Sequence, residues 1–225
     1  MSKPPAVLGS HTETSSRSHL PSRRERRRTE IRERLFRAAL SLFAEKGFTE
    51  TTVEDITNAA DLGKGTFFNY FPSKEHIFIA FSEMQVGKLQ QQVDEARRSS
   101  AKMPHILHRL SVRMTAEPGR NPEVVRLILM ANLASEPVRF AMRENHARAR
   151  KLLTQLIEIG QQRGEIRANR PAGEIADAFR QLVFGTLLLW SLHGEGPLKE
   201  RIDSALEQLW NGLEAPRRKA RERRP

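Results

Sequence analysis

The chain has 225 residues, 38% of them hydrophobic, enough for one large or two small apolar cores. It has no cysteine, which excludes disulfides, thiolate metal sites and cysteine nucleophiles; a cytoplasmic location is expected. The net charge of +11 and a pI of about 10.7 favour polyanionic partners: DNA, RNA or an anionic membrane surface.

The basic excess is uneven. Residues 1–34 hold nine Lys or Arg against four Glu, and residues 214–225 hold six against two. Residues 1–21 are rich in Ser, Pro, Thr and His with few large apolar groups, so a disordered basic arm is expected there. Residues 214–225 are expected to be a disordered basic tail. No apolar run approaches the roughly 18–20 residues that cross a bilayer, and no apolar h-region follows the N-terminal basic residues.

Ser22 and Glu25 form a capping-box pattern that opens a first helix. Ile31, Leu35, Ala38, Ala39, Leu42 and Phe43 then recur at helical spacing, and Gly47 supplies the stop. Arg23, Arg24, Arg26, Arg27 and Arg28 crowd its first turns, where positive charge opposes the helix dipole. A nearby polyanion, through its phosphates or a minor groove, would relieve that conflict.

Thr52 and Asp55 cap a second helix whose stripe is Val53, Ile56 and Ala60. Asp61-Leu62-Gly63 reads as a turn. A third helix is expected over 64–70, with Phe67 and Phe71 on one face and Pro72 ending it. Ser73 is expected to cap a fourth helix running from Lys74 to about Arg98. Further helices are expected near 103–115, 122–134, 137–162, 172–192 and 198–212, punctuated by Pro and Gly. The second half of the 172–192 helix is apolar almost all round, so it needs partners on two sides. One is its own core and the other is expected to be a second subunit. Ala178 and Gly185, seven residues apart, would let the second helix approach closely. No alternating strand pattern is long enough to predict a sheet, so the fold class is all-α.

Residues 52–75 have the layout of two short helices joined by a tight turn. A helix that reads DNA packs one face on its own domain and offers the other to the major groove. Phe67 and Phe71 serve the first need. Lys64, Gly65, Thr66, Phe68 and Asn69 lie on or near the other face: Lys64 and Asn69 can donate to base edges or phosphates, and Phe68 suits a thymine methyl. Tyr70 can reach a phosphate through its hydroxyl. Thr52 and Lys74 sit at expected helix N-termini, whose backbone N–H groups attract phosphate oxygens. The local pattern alone also fits an αα-corner in a helical enzyme or scaffold, with Phe68 and Tyr70 as core.

Residues 31–81 resemble the N-terminal domain of the TetR/AcrR family of bacterial transcription regulators. The matching stretch is AALSLFAEKGFTETTVEDITNAADLGKGTFFNYFPSKEHIFIAF. It includes Gly47-Phe48, Thr51-Thr52-Val53, Ala59-Ala60 and the run from Lys64 to Glu75. Two positions depart from the usual pattern: Asp61 replaces a Gly, at a cost to the turn, and Phe68 replaces a Tyr, removing one hydroxyl contact. The resemblance implies a three-helix DNA-binding head over 22–72 and a helical sensing and dimerising body over 73–213. It also implies a homodimer through the last two long helices, a double-stranded DNA operator of two-fold character, and repression relieved by a small-molecule effector.

For the effector, an apolar pocket between the fifth to eighth helices is expected, with Met103, Leu107, Met114, Leu129, Phe184 and Trp190 as candidates. A ligand there would swing the fourth helix and change the spacing of the heads, provided it binds the two states differently. No metal or cofactor is expected. His105 and His108 are three apart and His146 is elsewhere, without a third ligand at diagnostic spacing. Neither a nucleophile elbow, a phosphate-binding glycine loop nor HExxH occurs, so no enzyme activity is expected. The rival readings are an activator or ligand-independent architectural DNA-binding protein, and a helical carrier or enzyme with a vestigial head.

Overall fold

The structure is a computed structural model that describes residues 22–116, 121–134 and 136–213. The expected arm (1–21), the tail (214–225) and the Glu117-Pro118-Gly119 break lie outside the described residues. Among the described residues there are nine helices and no strand: α1 (Arg23–Lys46), α2 (Val53–Ala59), α3 (Lys64–Phe68), α4 (His76–Arg98), α5 (Met103–Thr115), α6 (Pro122–Ala134), α7 (Glu136–Gln162), α8 (Ala172–His193) and α9 (Leu198–Leu213).

The local signals explain most boundaries. Ser22 and Glu25 make both halves of a capping box on α1, and Thr52 with Asp55 does the same on α2. Gly47 ends α1 at φ 84°, a backbone region that a side chain disfavours. Two boundaries differ. α3 stops at Phe68 because Asn69 and Tyr70 turn, each N–H bonding a carbonyl three back. α4 begins at His76, two residues later than expected. Ser73 does not cap it through a backbone N–H; its hydroxyl sits 2.5 Å from the Glu75 carboxylate and 2.9 Å from His76 Nδ1.

Three apolar clusters organise the chain. The first gathers Leu35, Phe36, Ala39 and Phe43 of α1, Ile56, Phe67 and Phe71, and Ile77, Phe78 and Phe81 of α4. Its rings interlock, with Phe43–Phe48, Phe43–Phe78 and Phe67–Phe71 centroids 5.0, 5.6 and 5.5 Å apart. The second joins the later turns of α4 to α5, α7, α8 and the end of α9, around Val93, Met103, Ile106 and Leu156. The third pairs Val125 and Leu129 of α6 with Trp190, Leu198 and Ile202. Thus α4 begins in the first cluster and ends in the second. α6 lays Leu127 and Ile128 on the first cluster while Val125 and Leu129 enter the third.

No uninterrupted apolar run in α8 reaches the roughly 18–20 residues that cross a bilayer, although the helix as a whole is long and apolar enough to cross a membrane by length and composition. Its three acidic and basic residues all fall in its first nine positions, which leaves an apolar remainder. In this fold α8 packs against α6, α7 and α9.

Candidate nucleic-acid interface

The helix-turn-helix is built from α2, the 60–63 turn and α3. α2 runs back along α1: Lys46 near the end of α1 pairs with Asp55 in the first turn of α2 at 2.7 Å, and Arg34 donates to the Ala60 carbonyl at its end at 2.5 Å. The Lys46 ammonium, with the Thr52 cap, holds the Asp55 carboxyl well below the usual carboxylate range. Asp61 makes the turn at φ 52°, the only positive φ outside glycine among the described residues. The departure from Gly seen in the sequence therefore falls on the one turn residue whose backbone favours Gly.

Phe67 is fully buried and Phe71 nearly so, and they fix α3 on the head. The opposite side is open. Lys64, Gly65 and Asn69 are exposed, Thr66 is half-buried, and Phe68 is 56% exposed with its ring edge-on to Phe67. A Cβ placed on Gly65 would meet nothing within 4 Å, so this backbone is free to be approached closely from outside. Lys64 pairs with Glu54 at 3.0 Å, but both side chains are well exposed and such a pair is worth little. An incoming phosphate or base edge can therefore replace it.

Three expected contact residues are otherwise occupied. Tyr70 is half-buried and packs against the head cluster. The Thr52 hydroxyl and N–H are both bound to Asp55 in the capping box. Lys74 is a clamp: its ammonium donates to the carbonyls of Phe48 (2.5 Å) and Thr51 (2.8 Å), and lies 4.2 Å from the centre of the Phe48 ring. Lys74 thereby ties the start of α4 to the loop before α2. Neither this clamp, the Arg34 bond nor the Lys46–Asp55 pair is visible in the sequence pattern. The Lys74 and Arg34 partners lie 23 to 26 residues away, beyond the reach of any local signal.

The body does not bring the six candidate pocket residues together. Met103 is fully buried in the second cluster and Met114 packs against it. Leu129 and Trp190 belong to the third cluster, with the Trp190 indole donating to the Gly196 carbonyl at 3.0 Å. Phe184 is 51% exposed and points away from the core. Of the six, only Leu107 lines an apolar groove of about 260 Å³ between α5, α8 and α9. Its other apolar walls are Phe179, Leu206, Leu209, Trp210 and Leu213. α9, expected only as a dimer helix, thus contributes one wall of this groove. At the rim, His108 Nε2 lies 2.8 Å from Asp203, which also pairs with Lys199 at 2.7 Å. Lys199 holds the Asp203 carboxyl below its ordinary range, and His108 adds to the effect.

The family model described as bacterial regulatory proteins, tetR family, matches residues 35–81. The head of this chain is a TetR-family helix-turn-helix domain. The match covers α1 from Leu35 through α4 to Phe81, the same span as the first apolar cluster. The transcriptional regulator AcuR of Cereibacter sphaeroides is 28% identical over 151 residues, 64% of this chain and 69% of its own length. The TetR-family repressor FadR of Thermus thermophilus, solved with lauroyl-CoA, superposes with a TM-score of 0.60 at 26% identity, over 84% of this chain and all of that one. FadR of Bacillus subtilis, solved with stearoyl-CoA, gives 0.65 at 21% identity, over 80% and 98%. This second likeness speaks for the fold alone. The chain spans only 20%, 28% and 24% of the lengths of the first curated relatives it matches, all of them helix-turn-helix regulators.

Proposed function

We propose that this protein is a sequence-specific transcriptional regulator that binds a double-stranded DNA operator as a homodimer in the cytoplasm and is released by a small apolar or amphipathic ligand. The observation that carries the DNA reading is the open face of α3. Lys64, Gly65, Phe68 and Asn69 stand clear of the fold while Phe67 and Phe71 lock the helix beneath them. A helical carrier or enzyme has no use for a cationic, hydrogen-bonding face backed by so rigid a support.

The dimer reading is supported by α8. Phe184, Leu188, Leu189 and Leu192 are 40–58% exposed, and Ala178 is exposed on the preceding turns. A Cβ on Gly185 would touch nothing within 4 Å, so the glycine serves no packing inside the protomer. It leaves room for a second helix. Two joined heads can grip two half-sites one helical turn apart.

The ligand reading is supported by the apolar groove against α5 and by α4, which runs from that cluster into the head. The lauroyl-CoA complex of the Thermus thermophilus relative makes acyl-CoA thioesters the first ligands to try.

Selection of bound duplexes from a randomised pool tests the operator. A short palindromic site is expected. Coverage that grows with duplex length and ignores sequence would instead favour an architectural role. Titrating lauroyl-CoA into the selected complex tests release. Operator affinity unchanged across acyl-CoA chain lengths would remove this ligand class.

A further inference from the structure

The five arginines between residues 23 and 28 do not belong to an arm. They lie on the first turns of α1, which the Ser22–Glu25 capping box holds in helical form, and every residue from Arg23 to Glu30 is exposed. Their direction follows from the head. Because α2 runs back along α1, Arg34 marks the level of the α2–α3 turn through its bond to the Ala60 carbonyl. Eleven residues separate Arg34 from Arg23, so α1 projects roughly 16 Å beyond that turn at the rise of an α-helix.

The arginines form two rows on this rod. Arg23 and Arg27 continue the line of Arg34, at i, i+4 and i+11, towards the helix-turn-helix. Arg24 and Arg28 continue the line of Arg32, at i, i+4 and i+8, towards α4, where Arg32 pairs with Glu83 at 2.6 Å. Glu25, whose carboxylate accepts the Ser22 N–H at 2.6 Å and stays charged, offsets only one of these five positive charges. Positive charge at a helix N-terminus is unfavourable by itself, and these exposed turns have no core packing to offset it. A polyanion alongside would turn that local conflict into binding.

We infer that the first two turns of α1 form a second DNA-binding element, which grips backbone phosphates flanking the groove read by α3 and carries no sequence information. This rests on the DNA-binding reading above. The recognition helix then supplies discrimination, and the arginine rod supplies salt-sensitive affinity.

The test compares the full chain with a variant carrying Arg23→Gln, Arg24→Gln, Arg27→Gln and Arg28→Gln. Each binds the selected operator and a duplex of unrelated sequence between about 50 and 200 mM salt. The variant is expected to weaken on both duplexes by similar factors, leaving the specificity ratio intact. Its plot of log affinity against log salt should be shallower by about 2–4 per head, at about 0.9 for every phosphate that is no longer neutralised. Thermal unfolding without DNA should change little, since Gln is as good a helix former as Arg. An unchanged slope with a folded variant overturns the inference while the regulator reading stands. A slope that changes on the operator alone also overturns it, because the grip would then be sequence-dependent. If the unaltered chain binds neither duplex, both readings fall together.

Discussion

α3 and α8 each turn one face out of the protomer, and the two faces are chemically opposite. That of α3 offers Lys64, Gly65 and Asn69 with one exposed ring, Phe68. That of α8 offers Phe184, Leu188, Leu189 and Leu192. Water satisfies the first face, so the head can wait indefinitely for a partner. Water does not satisfy the second: leaving several large apolar side chains exposed forgoes about 1.5–3 kcal/mol for each that could be fully buried. An intermittent partner and a standing one therefore call for different surfaces. A switchable contact is polar and supported from below, and a permanent one is apolar.

Each face can be disabled without touching the other. The largest effect is expected at α3. Lys64→Ala with Asn69→Ala should weaken operator binding roughly 100-fold or more, since each good base contact discriminates by about 1–3 kcal/mol. Sedimentation of the same variant should match the parent, because neither side chain is on α8. A drop in operator affinity of less than about threefold would remove this face from the interface.

Next comes α8. Leu188→Glu with Leu189→Glu puts two charges into a seam that would otherwise be dry. The expected outcome is a monomer by analytical ultracentrifugation, with helical content kept and single-head DNA binding weak but detectable. A persistent dimer would show that the subunits join elsewhere.

The support beneath α3 is probed by Lys74→Met. It leaves the Phe48 and Thr51 carbonyls without their cationic partner and should destabilise the head by about 1.5–3 kcal/mol, measured by denaturant unfolding. A smaller change is expected from Asp61→Gly, which relieves a left-handed backbone. The gain should be about 1 kcal/mol, with little offset from the 3.8 Å Arg34–Asp61 pair, because Asp61 is fully exposed.

The smallest and most local effect is with pH. The folded-state pKa of Asp55 lies below its unfolded value, so its contribution to stability is complete above about pH 4 and is lost as pH falls further. Asp55→Asn should flatten that acid limb and leave the neutral limb parallel. An unchanged acid limb would mean that another carboxylate governs it.

Much of this fold was legible from residue order. The capping boxes at Ser22 and Thr52 span three positions each, and apolar residues at helical spacing carry their own period, so the elements could be placed from neighbours in sequence. The open face of α3 was legible for the same reason, since Phe67 and Phe71 mark the buried side of one short helix. The pocket was not. Met103 and Phe184 are both large and apolar on long helices, yet one is fully buried and the other is half exposed. Which side of a helix faces the core, when most sides are apolar, depends on elements far away in the chain.

Residue order alone determined the helices, the turn between α2 and α3, the family of the head and the existence of one helix apolar on more faces than one core can use. These properties are set by side-chain period, capping and turn chemistry over a few residues. Only the tertiary structure decided that Lys74 serves the head instead of standing free, that Arg34 locks the end of α2, and that the body opens between α5 and α9. Those outcomes depend on which distant carbonyl or ring a long side chain meets once the helices have packed, and no local pattern encodes that meeting.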